Sequence, residues 1–111
     1  MEQVDDSQQK VLELKKRLRD FFGGAFRAVG ERNSYDARSV LRVMGYDNGT
    51  YFAILFPNPA MQYELRISEI QETSDDEWIV TTNRGRWSFR KLSPEALAAY
   101  KKQMNSEGFH V

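Results

Sequence analysis

Apolar residues recur at three- and four-residue spacing early in the chain, at Val11, Leu14, Leu18, Phe21, Phe22, Ala25, Phe26 and Val29. That spacing keeps them on one face of a helix, with Lys15, Lys16, Arg17 and Arg19 mostly opposite. Asp5, Asp6 and Ser7 supply an N-cap and negative charge where unpaired backbone N–H groups favour both, so the helix is predicted to begin there. Gly23-Gly24 costs about 1 kcal/mol per glycine relative to alanine inside a helix. An end or a bend is expected near Gly23, and the pattern leaves open whether the helix resumes beyond the pair.

From residue 35 to 92 the texture changes to aromatic and β-branched runs separated by Gly, Asn, Pro and Asp, which predicts strands joined by turns. The first strand is expected near 37–46, turning at Asp47-Asn48-Gly49 into an antiparallel partner over 50–56. Pro57-Asn58-Pro59 then breaks the second strand. In the third, Tyr63, Leu65 and Ile67 alternate with Gln62, Glu64, Arg66 and Ser68, giving one core face and one solvated face. A turn over 73–76 leads to a fourth strand with Trp78 and Val80 inward, and Asn83-Arg84-Gly85 turns into a fifth with Trp87 and Phe89 inward. Ser93-Pro94-Glu95 reads as N-cap, first helical proline and first-turn acid, opening a helix through Leu97, Tyr100 and Met104 that Gly108 ends.

These elements predict an α+β fold: an antiparallel β-meander of about five strands, an N-terminal amphipathic helix on one face and a short C-terminal helix closing an edge or an end. The chain of 111 residues suits one domain over 1–111, with 1–6 and 106–111 as flexible ends. With 41% hydrophobic and 13% aromatic residues, it can bury enough apolar surface to offset the entropy lost on folding. Sixteen basic residues balance sixteen acidic ones, so attraction to phosphate or anionic lipid would have to come from a local patch. The absence of cysteine excludes disulfides, thiolate metal ligands and thiol nucleophiles and fits a reducing compartment. The polar start of the chain lacks a secretory signal, and the longest apolar run, 51–57, is too short to span a bilayer as a helix. A cytoplasmic protein is expected, with no membrane partner and no cofactor.

Catalytic groups are sparse. The single histidine, His110, is penultimate, where nothing would hold it against a partner. No serine sits in a Gly-x-Ser-x-Gly elbow, and Gly23-Gly24 lacks the Gly-Lys-Ser/Thr of a phosphate loop. Asp75, Asp76 and Glu77 in one turn, and Asp47 with Asn48 in another, offer oxygen ligands but too few for a metal at proper spacing. The stretch Asp47-Asn48-Gly49-Thr50, then Leu65-Arg66-Ile67, then Glu69 or Glu72 resembles the thermonuclease pattern over fewer than 30 residues. That resemblance implies calcium held by carboxylates, a phosphate-gripping Arg66 and a glutamate base. Asn48 or Gly49 stands where the family has a second aspartate, and the family's helix after the third strand is not predicted.

Two binding classes remain. Arg66, Arg86 and Arg90, interleaved with Trp87 and Phe89 and joined by Arg38 and Arg42, could form a basic stripe for single-stranded nucleic acid. A meander followed by a capped C-terminal helix is similar in order to the Whirly and Pur single-strand-binding proteins. The structural alternative pairs those arginines with Glu64 and Glu77 across strands. The other class is protein binding: Val11, Leu14, Leu18, Phe21, Ala25 and Ala28 satisfy a heptad a/d pattern. With Phe22 and Phe26, that face must be covered by the domain's own sheet, by a second copy or by a partner. The run 51–56 is apolar on both faces, which predicts cover on both. Phe109-x-Val111 matches the form of some PDZ ligands. The reading favoured is a non-catalytic protein-interaction module or small adaptor, including self-association, through Val11, Leu14, Leu18, Phe21, Phe22 and Phe26. The alternative is single-strand binding through Arg66, Arg86, Arg90 and Trp87, and the remote one a metal-dependent nuclease. Single-strand binding predicts affinity for a labelled oligonucleotide that falls steeply with salt and disappears on replacing Arg66, Arg86 and Arg90 together. Salt-insensitive binding, or binding that survives the triple replacement, contradicts it.

Overall fold

In the computed structural model, residues 6–35 and 38–106 are described. The elements run α1 (Asp6–Phe22), β1 (Phe26–Gly30), β2 (Val40–Asp47), β3 (Thr50–Asn58), β4 (Met61–Glu72), β5 (Glu77–Thr82), β6 (Gly85–Lys91) and α2 (Pro94–Ser106). The fold is α+β, with a six-stranded antiparallel sheet and one helix at each end of the sequence. Expectations for residues 1–5, Asp36, Ala37 and 107–111, including His110, the Gly108 stop and Phe109-x-Val111, lie outside the described residues.

The helix stops at the glycine pair. Gly23 and Gly24 adopt φ of 74° and 108°, and the Gly23 N–H donates to the Arg19 carbonyl at 2.8 Å, closing the last turn as a left-handed cap does. The apolar spacing that ran on through Ala25, Phe26 and Val29 therefore belongs to a strand, which is the sixth strand missing from the expected five. Along it Phe26 and Ala28 are buried and alternate with Arg27 and Val29, a period of two that five residues cannot separate from a helical one. The heptad through Ala25 and Ala28 is broken at the same point.

Strands β2 to β6 form consecutive hairpins, and β1 adds beside β6, giving the order β1-β6-β5-β4-β3-β2. On its other side β1 meets the run-in to β2. The Phe26 N–H donates to Ser39 O at 3.1 Å and the Ser39 N–H to Phe26 O at 2.6 Å, so the sheet curls until its two ends touch. Asn48 and Gly49, with φ of 52° and 85°, make the expected two-residue turn between Asp47 and Thr50. β3 continues through Pro57 to Asn58, beyond the expected break. Its pairing with β4 steps from Leu55↔Tyr63 to Asn58↔Met61, so the ladder asks no N–H of Pro57.

The concave face gathers Leu55, Leu65, Ile67, Trp78, Val80, Trp87 and Phe89, all buried, while Glu64, Arg66, Arg86 and Arg90 face outward, as the alternation predicts. Into that face α1 inserts Leu14, Leu18 and Phe22. The Phe22 ring lies 5.0 Å from Trp78 and 5.0 Å from Phe26, and the Arg17 guanidinium sits 5.0 Å over Trp78. α2 begins at its expected cap, with the Ala96 N–H donating to Ser93 Oγ at 3.2 Å. It lies across the end where β1 begins: Leu97 packs on Gly23, and Arg38 sits 4.7 Å over Tyr100 and donates to Gln103 at 2.7 Å. Tyr100 and Met104 face Val40 and Phe56 across a recess of about 330 Å³.

Leu14 is 1% exposed and Leu12, two residues earlier, 62%. Leu14→Ala should therefore lower stability in urea unfolding by about 2–5 kcal/mol, whereas Leu12→Ala should change it by no more than ~0.5 kcal/mol. Equal effects would place the helix face elsewhere.

Candidate functional site

One irregularity in β2 builds the most distinctive surface. Val43 pairs with Ala53 and Gly45 with Phe52, leaving Met44 as the extra residue of a bulge. A bulge re-aims the side chain it carries, and Met44 stands 55% exposed. Beside it are two other large apolar side chains in water, Leu12 and Phe52. Met44 lines two recesses at once. One, of about 340 Å³, lies between α1 and β2 with Val11, Leu12 and Tyr46. The other, of about 430 Å³, lies on the outer sheet face with Phe52, Ile54, Glu64, Arg66 and Arg84. Leu12, Met44, Phe52 and Ile54 thus form one apolar ridge crossing from helix to sheet.

Cations border the ridge. Arg66, directly across from Phe52, holds its guanidinium 5.7 Å over that ring. Arg42 and Glu64 flank Ile54 on either side. Because β5 ends at Thr82, the Arg66 backbone is completed by Asn83, whose N–H donates to Arg66 O at 3.1 Å and whose Oδ1 accepts the Arg66 N–H at 2.8 Å. The same turn sets Arg84 over Tyr63 at 5.7 Å, with its Nε–H donating to Glu64 O at 3.0 Å.

Farther along the outer face a polar knot forms around Glu77. Its carboxylate accepts from Ser88 Oγ at 2.6 Å, Thr73 Oγ1 at 2.9 Å and Arg90 Nε at 2.9 Å. The Ser88 hydroxyl, then Thr73 and Arg90, hold the carboxyl below its ordinary value of 4.5. Arg90 is thereby engaged in the cross-strand pairing that the sequence offered as the alternative to a nucleic-acid stripe.

The candidate residues separate accordingly. Leu14, Leu18, Phe22 and Phe26 are in the core, and Val11 and Phe21 pack against it, so the domain's own sheet covers the helix face offered for a partner. Arg66, Arg86 and Arg90 share the outer face, but Trp87 is 3% exposed and points inward, so it does not join them. Asp47 and Asn48 end the β2–β3 hairpin, Glu69 and Glu72 lie on β4, and β4 passes to β5 without a helix. Among the described residues no three His, Cys, Asp or Glu side chains gather to hold a metal, and no helix is long and apolar enough to cross a membrane. Sequence reasoning passed over Leu12, Met44, Phe52 and Ile54 as a surface. Its one available signal was the two-faced apolarity of 51–56. Comparison with known proteins finds no family model, no curated protein and no solved structure that matches this chain.

A carboxylate whose folded value is depressed stabilises the fold fully above its unfolded value, here 4.5, and loses that contribution as pH falls through the lower folded value. Glu77→Gln should therefore cost ~1 kcal/mol near neutral pH and flatten the acid limb of stability against pH. An unchanged acid limb would contradict the assignment.

Proposed function

We propose that this chain is a non-catalytic protein-interaction module that binds through the Leu12–Met44–Phe52–Ile54 ridge. Its preferred partner is a segment presenting apolar side chains flanked by carboxylates. The observation that carries this reading is the position of Met44, exposed on a bulge and shared by two adjoining recesses. Contiguous exposed apolar surface with a polar rim is the usual form of a protein-binding patch. Methionine adapts its shape to varied partners, and a central aromatic such as Phe52 is a frequent anchor. The rim suggests the sign of the partner: at the sheet end of the ridge Arg42, Arg66 and Arg84 stand beside Glu64, which favours acidic residues beside the apolar ones.

A second reading has one observation in its favour. Phe52 and Arg66 lie together on the outer face, the pairing of ring and cation that single-stranded nucleic acid uses. Phe56, a second outward aromatic, lies against Tyr100 and Met104 of α2, and Arg90 is already held by Glu77.

Selection from a random peptide display library separates the two. The protein reading expects enriched peptides that combine apolar residues with Asp or Glu and that lose about tenfold or more in affinity for Met44→Ser or Phe52→Ser. Peptides indifferent to both substitutions, or no enrichment alongside tight binding of a labelled single strand, would overturn it.

A further inference from the structure

We infer a second binding site, independent of the ridge, in the recess between the chain reversal after β1 and the β5–β6 turn, taking a small planar organic anion. The recess holds about 390 Å³, within the roughly 300–1,000 Å³ of small-molecule sites. Gly30, Arg32, Asn33, Tyr63, Arg84 and Trp87 form most of its wall.

The described wall carries two guanidiniums, Arg32 and Arg84, against one carboxylate. Trp87 lines it nearly fully buried, and its indole N–H, itself shielded from solvent, has no acceptor. Trp78 shares that deficit but lies beneath Arg17 of α1, away from this recess. The hydroxyls of Tyr35 and Tyr63 meet at 2.7 Å, so one spends its hydrogen on the other, and the second keeps a hydrogen to donate. Burial, then the bond to Tyr63, push the Tyr35 hydroxyl up to about 12, which keeps it protonated at neutral pH. Arg84 spends only its Nε–H on Glu64 O, leaving its terminal nitrogens, and Arg32 is exposed at the rim. Among the described residues the one carboxylate in the wall, Glu31, accepts from the Arg86 N–H at 3.4 Å and is packed against Gly85. Two guanidiniums beside one described carboxylate, with the Asn33 side chain in the same wall, favour a ligand that brings acceptors and negative charge.

The aromatic wall favours a ligand with a ring. Tyr63 and Trp87 pack together with centroids 6.0 Å apart and planes tilted by 46°, and the Arg84 guanidinium lies over Tyr63, a cation–ring contact that a ligand ring can share. Gly30 has no left-handed backbone that would demand glycine. A Cβ there would sit 3.1 Å from the Trp87 ring, so the bare backbone is what lets the indole lie against β1. A carboxylate or a phosphate on a flat ring meets all of these conditions.

The test titrates the protein with benzoate, with uridine monophosphate and with inorganic phosphate while the indole N–H resonances are followed by NMR. The Trp87 signal is assigned by its persistence in Trp78→Phe. A saturable shift of the Trp87 indole N–H with either ring-bearing anion is expected, weakened about tenfold or more in Arg32→Gln and unchanged in Met44→Ser. Saturation by benzoate alone names an aromatic acid as the ligand, and by the monophosphate alone a nucleotide. The inference is overturned by a Trp87 resonance that does not move with either ring-bearing anion. It is equally overturned by a shift indifferent to Arg32→Gln, or by inorganic phosphate saturating as tightly as the ring-bearing anions.

Discussion

Burial of one short helical stripe organises this molecule. Leu14, Leu18 and Phe22 of α1 fill the concave face of the curled sheet against Trp78 and Phe26. Fully burying side chains of this size contributes roughly 1.5–3 kcal/mol each, and without them the floor of the sheet would stand open to water. The Gly23-Gly24 stop makes the arrangement possible. By ending the helix and reversing the chain, it delivers Phe26 to a place between β6 and Ser39. The same residue thus joins the sheet's two ends and packs on the helix. Because α1 spends its apolar face internally, any surface left for other molecules must be found elsewhere.

That surface is defined by what the second helix leaves uncovered. β3 is apolar on both sides, and α2 brings Tyr100 and Met104 to the outward Phe56, while Ile54 and Phe52 on the same side of the strand continue past its reach. Met44 extends the uncovered strip to Leu12 because a bulge turns it outward. β2 lies at the end of the strand order, and a bulge there also disrupts the regular ladder that an edge strand offers to other strands. One local irregularity therefore protects an edge and exposes an anchor. Of the charged residues around it, Arg66 is held by backbone completed through Asn83 and Arg84 by the Glu64 carbonyl.

Much of the scaffold was legible because its signals are local. Asn48-Gly49 carries the positive φ its turn needs, Ser93-Pro94-Glu95 caps its helix, and Leu65, Ile67, Trp78, Val80, Trp87 and Phe89 face inward as strict alternation requires. β1 was not legible, since Ala25, Phe26 and Val29 fit a helical stripe and a short strand equally well, and only the glycine pair distinguishes them. Pro57 misled in the other direction, because whether a proline breaks a strand depends on a register the sequence does not display. The ridge was hidden for a related reason. A bulge at Met44 depends on how β2 and β3 pair across seven positions, and nothing in residue type announces it. The recess beside Trp87 joins Gly30, Tyr63 and Arg84 from separate strands and turns, so it exists only after the sheet has curled.

The apolar face of α1 is internal, and Leu12, Met44 and Phe52 form a free apolar patch beside it. Hydroxyl-radical footprinting of the protein alone, read residue by residue by mass spectrometry, tests this arrangement most directly. The account predicts rapid labelling of Met44, Phe52 and Leu12 together with strong protection of Leu14, Phe22 and Trp78. Comparable labelling of Phe22 and Trp78, or protection of Met44 and Phe52 in the isolated chain, would contradict it.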